Sequence, residues 1–203
     1  MREDQYIIID DFYSDPDVVR QFALDENYAS VAKLNYPGYQ SHKVFKSQSI
    51  QEAFEKAIGK EIIVDPERFT FGGFRLITEE TGKMPKVHAD SIDWAGLVFL
   101  SNYFHQDAGV GFYRHKETGL IGPPTDLEAR SLGYEDAAEF ERQIIYRDQA
   151  NLDAWELTFQ VEPIYNRLVL FKGRELYHAP IKGFGSIPED CRITHNFFFL
   201  EKK

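Results

Sequence analysis

Of the six histidines in the chain, one stands in a compact ligand-type pattern, His88-Ala89-Asp90. On an extended segment, residues at i and i+2 point to the same side, so an imidazole and a carboxylate can converge on one ion. Two such neighbours hold only one edge of an octahedral ion, and a third ligand must come from elsewhere. His178 is the candidate: it follows the apolar run Leu168 to Phe171 by a turn containing Gly173, in the string Phe-Lys-Gly-Arg-Glu-Leu-Tyr-His. Two His and one Asp form the facial arrangement that binds Fe(II) and leaves positions open for a co-substrate and oxygen. A lone His-x-Asp is also common as a surface pair, so the assignment needs the rest of the constellation.

Fourteen residues beyond His178, Arg192 opens the run Arg192-Ile193-Thr194-His195-Asn196-Phe197-Phe198-Phe199. Period two puts Arg192, Thr194 and Asn196 on one face and Ile193, His195 and Phe197 on the other. An arginine turned inward between β layers is costly unless an anion meets it, and its planar fork matches a carboxylate through two parallel hydrogen bonds. A dicarboxylate ligand answers that need; the competing reading is a structural arginine paired with an Asp or Glu of the protein. His195 falls opposite Arg192 and reads as a packed or surface histidine. His105 and His115 read as exposed loop residues, with substrate contact the less favoured alternative. Trp94 and the stretch Tyr36-Pro37-Gly38-Tyr39 place aromatics in loops near the mouth, for packing or for substrate stacking.

The elements that must position these residues follow from the pattern of apolar residues. A strand, Tyr6 to Ile9, leads into a helix that Ser14 or Asp15 caps and Pro16 starts, with Val18, Val19, Phe22 and Ala23 as its apolar stripe. A second helix is expected from Ser49-Ile50-Gln51-Glu52, a capping box, to a stop at Gly59. From Glu61 the texture turns to β, with runs at 61–64, 68–78, 95–101, 109–114, 156–161, 167–171 and 192–199. Leu168 to Phe171 is apolar on both faces and reads as central, whereas Glu156 to Val161 alternates and reads as half exposed. Thr125-Asp126-Leu127-Glu128 opens a helical stretch with Ala137, Phe140, Ile144 and Ile145 as its stripe.

This order predicts an α+β, mainly β fold: a β-sandwich or jelly roll with helices packed on one side and a helical insert. Residues 1–203 read as one domain, with 1–60 a helical N-terminal support, 61–114 and 156–200 the jelly-roll strands, and 115–155 an acidic helical insert. Between Asp126 and Glu156 stand nine acidic and three basic residues, so this stretch carries −6 of the net −10. A solvated helical surface is the leading expectation for it, a lid or partner-recognition element the alternative.

Composition narrows the function. With 43% hydrophobic and 15% aromatic residues the chain is globular, and its net −10 without a basic run argues against nucleic acid as a partner. The single cysteine, Cys191, excludes an internal disulfide and a CxxC metal site, and reads as a buried thiol. No apolar stretch reaches membrane-spanning length and the first residues lack a signal-peptide core, so the cytoplasm is the expected address. Gly109-Val110-Gly111 lacks the third glycine and the helix of a dinucleotide loop, and no Gly-x-Ser-x-Gly elbow is present.

With His88, Asp90, His178 and Arg192 on the page, the chain resembles the Fe(II)- and 2-oxoglutarate-dependent oxygenases, most closely their prolyl 4-hydroxylase-like branch. That family's pattern is His-x-Asp, a long gap, a second His at the end of a strand, then a basic residue ten to fifteen positions on in the last core strand. Thr194 falls where the family often has Ser or Thr. Leu100-Ser101-Asn102 is similar to its Tyr-Leu-Asn strand, Gly109-Val110-Gly111-Phe112 to its Gly-Gly-x-x-Phe strand, and Ile9-Asp10-Asp11-Phe12 to the branch's opening strand.

The resemblance implies a double-stranded β-helix core, with His88, Asp90 and His178 holding Fe(II). It implies 2-oxoglutarate as co-substrate with its distal carboxylate on Arg192, O2 as oxidant, and hydroxylation coupled to decarboxylation to succinate. It further implies co-substrate contacts from Thr194, Asn102 and Thr78. Thr78 stands where the branch usually has a Tyr, and Arg75 and Tyr103 are nearby substitutes. Retention of Asp90 separates the chain from the related halogenases, and Phe198 stands where the DNA-repair branch has a second arginine. The implied substrate is a small molecule or a residue of a peptide or protein. Two other classes stay open: a non-catalytic metal-binding jelly-roll module, and a cupin-like metalloprotein that ignores 2-oxoglutarate.

Overall fold

The structure, a computed structural model, describes residues 2–31, 37–83, 85–103 and 105–202. Runs of β-branched and aromatic residues broken by Gly, Asn and Pro become strands, and capping residues ahead of an apolar stripe start helices. In chain order these are β1 (Tyr6–Ile9), α1 (Pro16–Leu24), β2 (Tyr28–Ser30), β3 (Tyr39–Val44), α2 (Gln48–Ile58), β4 (Ile62–Ile63), β5 (Phe71–Ile77), β6 (Trp94–Phe99) and β7 (Val110–His115). The insert follows with α3 (Asp126–Ser131), α4 (Ala137–Phe140), a π-helical turn over Glu141–Ile145 and α5 (Tyr146–Asp148). The chain ends with β8 (Trp155–Val161), β9 (Leu168–Phe171), β10 (His178–Pro180) and β11 (Arg192–Glu201).

Among the described residues the strands form two sheets. The larger runs β1-β9-β6-β11-β5-β3-β2, with β4 paired to the far end of β11, and the smaller runs β10-β7-β8. Every pairing is antiparallel. β9 is buried along its whole length between β1 and β6, as its two-sided apolar pattern requires. The long strand β11 lies between β5 and β6, with Thr194 opposite Arg75 on one side and Phe99 on the other.

Three apolar clusters stack these elements into layers. α1 and α2 cover the outer face of the large sheet, where Val19, Ala23, Ile50 and Phe54 meet Phe74, Ile193, Phe197 and Phe199. Between the sheets Ala95, Leu97, Phe99, Val110, Phe112, Val169 and Phe171 pack together. The insert covers the outer face of the small sheet, setting Ala129, Phe140, Ile144 and Ile145 against Tyr113, Trp155, Tyr177 and Ala179. It is therefore a packed layer rather than only a solvated surface.

Local signals hold with two adjustments. Asp15 caps α1 by accepting from the Val18 amide, Gly59 ends α2 at φ 70°, and Thr125 and Glu128 close a reciprocal capping box on α3. α2 starts earlier than its sequence pattern predicts, because Ser47 rather than Ser49 caps it by accepting from the Ile50 amide. The first sixty residues also contribute β2 and β3 to the large sheet, two strands whose polar composition (Tyr-Ala-Ser and Tyr-Gln-Ser-His-Lys-Val) hid them. No helix among the described residues is long and apolar enough to cross a membrane.

His195 belongs to the large sheet's outer face, opposite Arg192. Its ring stacks on Phe74 at 4.3 Å between centroids, and its nitrogens meet the Tyr13 hydroxyl and the Phe45 carbonyl, each at 2.8 Å. Burial pushes its pKa down to about 3, so the folded protein keeps this imidazole neutral. An unfolded histidine protonates near pH 6.5, so between those values the unfolded state binds more protons and stability falls as pH falls. Denaturant titrations should show His195 contributing a slope of about 1.4 kcal/mol per pH unit between pH 6 and 4, which a His195→Gln variant lacks. Equal slopes in the two proteins would refute this.

Candidate metal centre and its anion pocket

Two short extended segments carry the three candidate ligands, and backbone hydrogen bonds clasp them. His88 and His178 form an antiparallel bridge in which each amide donates to the other's carbonyl, at 3.1 and 2.8 Å. The Asp90 amide donates to the Gly173 carbonyl at 2.9 Å. The imidazoles come out side by side, 4.6 Å between centroids. Each turns Nδ1 to the carbonyl two residues upstream, His88 to Lys86 and His178 to Leu176, both at 2.9 Å. With Nδ1 as the donor, the tautomer is set and the Nε2 lone pair is the one presented to a metal.

The donor atoms converge. His88 Nε2 lies 3.6 Å from Asp90 Oδ1, and His178 Nε2 lies 3.4 Å from Asp90 Oδ2. These separations are longer than an ordinary N–H···O hydrogen bond and suit neighbouring ligands of one ion; one donor atom from each residue lies within 4.8 Å of the others. Burial works against the Asp90 charge, but the imidazoles, His178 foremost, outweigh it and hold the carboxyl below its usual range. Gly173 makes room for this carboxylate: a Cβ there would stand 2.5 Å from Asp90 Oδ2. That cradle, with two preset Nε2 donors and one ionised carboxylate, fits a divalent ion of the Fe(II) class.

The residues alternating with the ligands face the other way, into the insert. Val87, Ala89, Tyr177 and Ala179 pack in the cluster that holds Phe140, Ile144 and Ile145. The Val87 amide donates to the Gln149 carbonyl at 2.8 Å, and the Tyr177 hydroxyl donates to Glu141 at 2.6 Å. Burial raises the pKa of Glu141, which the tyrosine bond partly offsets. A second acid-histidine cluster, His115, Glu117 and Asp148, is answered by a cation of the chain itself. Arg147 donates to Glu117 and to Asp148, both at 2.6 Å, and holds the Asp148 pKa down to about 2, while His115 Nε2 meets Asp148 at 2.9 Å. This cluster anchors the insert, so His115 is a buried structural residue and not the exposed loop residue its glycine-rich surroundings predicted.

Next to the metal centre a narrow cavity of about 60 Å³ lies between the sheets, lined by His88, Asp90 and His178 and by Arg75, Arg192, Thr194 and Asn196. Arg192 is 3% exposed. Its guanidinium donates to the Ala108 carbonyl at 2.7 Å and more loosely to Gly109 at 3.4 Å, and lies 5.5 Å from the centre of the Phe99 ring. Burial, with Arg75 nearby, brings its pKa down to about 10, which still leaves it cationic at neutral pH. Among the described residues no carboxylate pairs with it within 4.0 Å, so the structural-arginine alternative lacks its partner. The Asn196 side-chain oxygen is buried and meets no donor among the described residues. A buried cation with only carbonyl partners and an unanswered amide oxygen both call for a polar ligand in this cavity.

The structure thus brings His88, Asp90, His178, Arg192 and Thr194 together and leaves two other candidates outside. Thr78 is engaged in a turn, its hydroxyl 3.1 Å from that of Thr81 and accepting from the Thr81 amide. Asn102 is exposed on the bend after β6 and lines neither cavity, and Tyr103 is 57% exposed. Arg75, the other substitute, does line the cavity. Trp94 starts β6 in the buried core, its indole N–H on Glu201 at 2.8 Å, and is not a mouth residue. His105 is exposed and packs on Phe184 at 4.1 Å. Pro37 lines the cavity, while Tyr36 lies outside the described residues. Asn196 and Gly173 were not singled out as site residues. The parity of Arg192 along β11 is the signal for the first; nothing local marks the second.

Gly173 offers a direct test of the cradle. Gly173→Ala should leave the fold intact and lower divalent-metal affinity by about 10–100-fold, the usual effect of disturbing a ligand's support. Circular dichroism and a metal titration measure the two together, and an unchanged affinity would mean that Asp90 is not held against this glycine.

Similarity to known proteins bears on the fold. A prolyl hydroxylase from Trichoplax adhaerens, solved with a hypoxia inducible factor oxygen degradation domain peptide fragment, superposes at a TM-score of 0.53 with 12% identity, covering 98% of this chain and 84% of that one. A 2OG-Fe(II) oxygenase family oxidoreductase from Burkholderia pseudomallei gives 0.54 at 8% identity, covering 98% and 85%. HygX from Streptomyces hygroscopicus, solved with nickel and 2-oxoglutarate bound, gives 0.50 at 11%, covering 98% and 83%. No curated protein sequence matches the chain. The sequence profile described as "Family of unknown function (DUF6445)" matches residues 1–199. The chain therefore belongs to the DUF6445 family, and its fold is that of the prolyl hydroxylases and 2OG-Fe(II) oxygenases.

Proposed function

We propose that the protein is an Fe(II)- and 2-oxoglutarate-dependent dioxygenase that hydroxylates a small molecule or a residue of a peptide or protein. The observation that carries this reading is one cavity holding both His88, Asp90 and His178 and the buried cation Arg192. A metal ligand set alone would suit a structural ion, and a buried arginine alone would suit a protein carboxylate. Together they suit a small dianion that binds a metal at one end and a guanidinium at the other. The two sheets are read as the double-stranded β-helix of these enzymes, and HygX, of similar fold, was solved with nickel and 2-oxoglutarate bound, which supports the reading.

In this reading His88, Asp90 and His178 hold Fe(II), and bound iron with 2-oxoglutarate supplies C–H oxidation by O2 coupled to decarboxylation to succinate. The chain's own residues do the rest. Arg192 fixes the distal carboxylate and carries its positive charge through neutral pH. Thr194 adds a hydroxyl on the same face of β11, and Asn196 an amide. Leu97, Val110, Phe171 and Phe198 line the same space and keep water out, which strengthens each of these polar contacts.

The test is anaerobic visible absorption of the purified protein as Fe(II) and then 2-oxoglutarate are added. Wild type should develop a charge-transfer band, Asp90→Ala should lose it with its iron, and Arg192→Ala should need about 10–150-fold more 2-oxoglutarate, the equivalent of about 1.5–3 kcal/mol for a charge-assisted contact. A protein that binds no iron would be a non-catalytic jelly-roll module, and one whose iron ignores 2-oxoglutarate would be cupin-like.

A further inference from the structure

The insert grips both histidine segments through one short helical run. α4, the π-helical turn and α5 follow one another without a break from Ala137 to Asp148. Within this run the Glu141 carboxylate accepts from the Tyr177 hydroxyl at 2.6 Å, and just past its end the Gln149 carbonyl accepts from the Val87 amide at 2.8 Å. Each of those partners stands immediately before a candidate ligand, Tyr177 before His178 and Val87 before His88. The i→i+5 turn over Glu141–Ile145 takes in one residue more than an α-helical turn, which sets the phase between Glu141 and Gln149. Tyr146 and Gln149 also line a wider outer cleft of about 440 Å³ that shares His88 and Asp90 with the narrow cavity.

Packing alone does not call for the Tyr177–Glu141 bond. Tyr177 is fully buried in the cluster of Val87, Phe140 and Ile145, with the Trp155 ring edge-on at 5.1 Å. A phenylalanine would fill the same apolar space with no hydroxyl to satisfy. A polar pair inside an apolar layer is satisfied in one register only. Sliding the insert past the His178 segment would leave the hydroxyl and the carboxylate without partners, whereas apolar contacts re-form at small cost. The main chain of Tyr177 is fixed as well: its amide donates to the Ile121 carbonyl at 2.8 Å and its carbonyl accepts from the Tyr113 amide at 2.9 Å. With backbone and ring tip both held, the residue cannot rotate, and the alternation of the strand then aims the next side chain, His178, into the cavity.

We propose that Tyr177 and Glu141 are positioning residues of the metal centre: their hydrogen bond registers the insert on the His178 segment and so holds the His178 imidazole in reach of Asp90. The inference rests on His178 acting as a metal ligand, and it adds two residues that act on the centre only through His178.

Titration of the full chain with Co(II), whose visible bands report the geometry around the ion, tests this. Tyr177→Phe and Glu141→Leu should each lower Co(II) affinity about tenfold and alter the bands, the scale of losing a ligand's outer support. Glu141→Gln still accepts from the hydroxyl and should bind as wild type does. The double variant Tyr177→Phe/Glu141→Leu should bind no more weakly than either single variant, because both changes remove the same bond. Ile144→Val thins the same apolar layer but leaves the bond, and should lower the melting temperature with affinity and bands unchanged. Unchanged affinity and bands in Tyr177→Phe, fully additive losses in the double variant, or an equal loss in Ile144→Val would each overturn the proposal. Should Tyr177→Phe fail to fold, the contrast between Glu141→Leu and Glu141→Gln decides it. A wild-type protein that binds no Co(II) would instead bring down the metal centre itself and the positioning role with it, so the two failures are distinct.

Discussion

The reciprocal pair of backbone hydrogen bonds between His88 and His178 is the contact on which the site depends. It ties a segment from the middle of the chain to one near its end and, through period two, decides which side each side chain takes. Because both histidines face the cavity, Val87, Ala89, Tyr177 and Ala179 must face away, and that second face needs a partner. The insert is that partner. Shifting either segment by one residue would turn the histidines into the apolar layer and apolar residues toward the cavity, so apolar packing enforces this register.

The same economy governs β11. One face supplies Ile193, His195 and Phe197 to the core beneath α1 and α2, and the other supplies Arg192, Thr194 and Asn196 to the cavity. The polar face is costly to bury, and the ladders to β5 and β6 on both sides keep the strand from turning it outward. His195 shows how the core face copes with a polar group: both ring nitrogens are paired and the ring is kept neutral. Arg192 shows the opposite policy, since its charge persists and, among the described residues, two carbonyls and the Phe99 ring answer it. Leaving a charge in that state is tolerable where a ligand completes it, which is why the two buried residues on opposite faces point to different roles.

Much of this was legible in the sequence because it depends on local spacing. His-x-Asp, the parity of Arg192 and Thr194 along one strand, the caps at Asp15 and Thr125, and the two-sided apolar run at Leu168 to Phe171 are all short-range patterns. What escaped depends on contacts between distant residues. Nothing near Gly173 says that it lies against Asp90, and nothing near His115 says that Asp148 and Arg147 will bury it. Thr78 and Asn102 lie outside the cavity lining for a related reason: resemblance placed them by position along the chain, whereas a turn with Thr81 and an exposed bend decide where their side chains go. β2, the edge strand, and β3 beside it escaped because both carry polar residues and lack the apolar alternation by which strands are read.

The acidic insert joins these threads. Its charge suggests a surface element, but its apolar stripe is buried behind both ligand segments, and Tyr146 and Gln149 reach the outer cleft. Arg147 takes up Glu117 and Asp148, so part of the local acidity is spent on anchoring. The element packed behind the segments of His88 and His178 also lines the outer cleft through Tyr146 and Gln149, so one layer serves both. A change at Tyr177 or Ala179 reaches the segments of His88 and His178 through packing. The histidine segments and the wall of the outer cleft are in this way supported by one block of side chains.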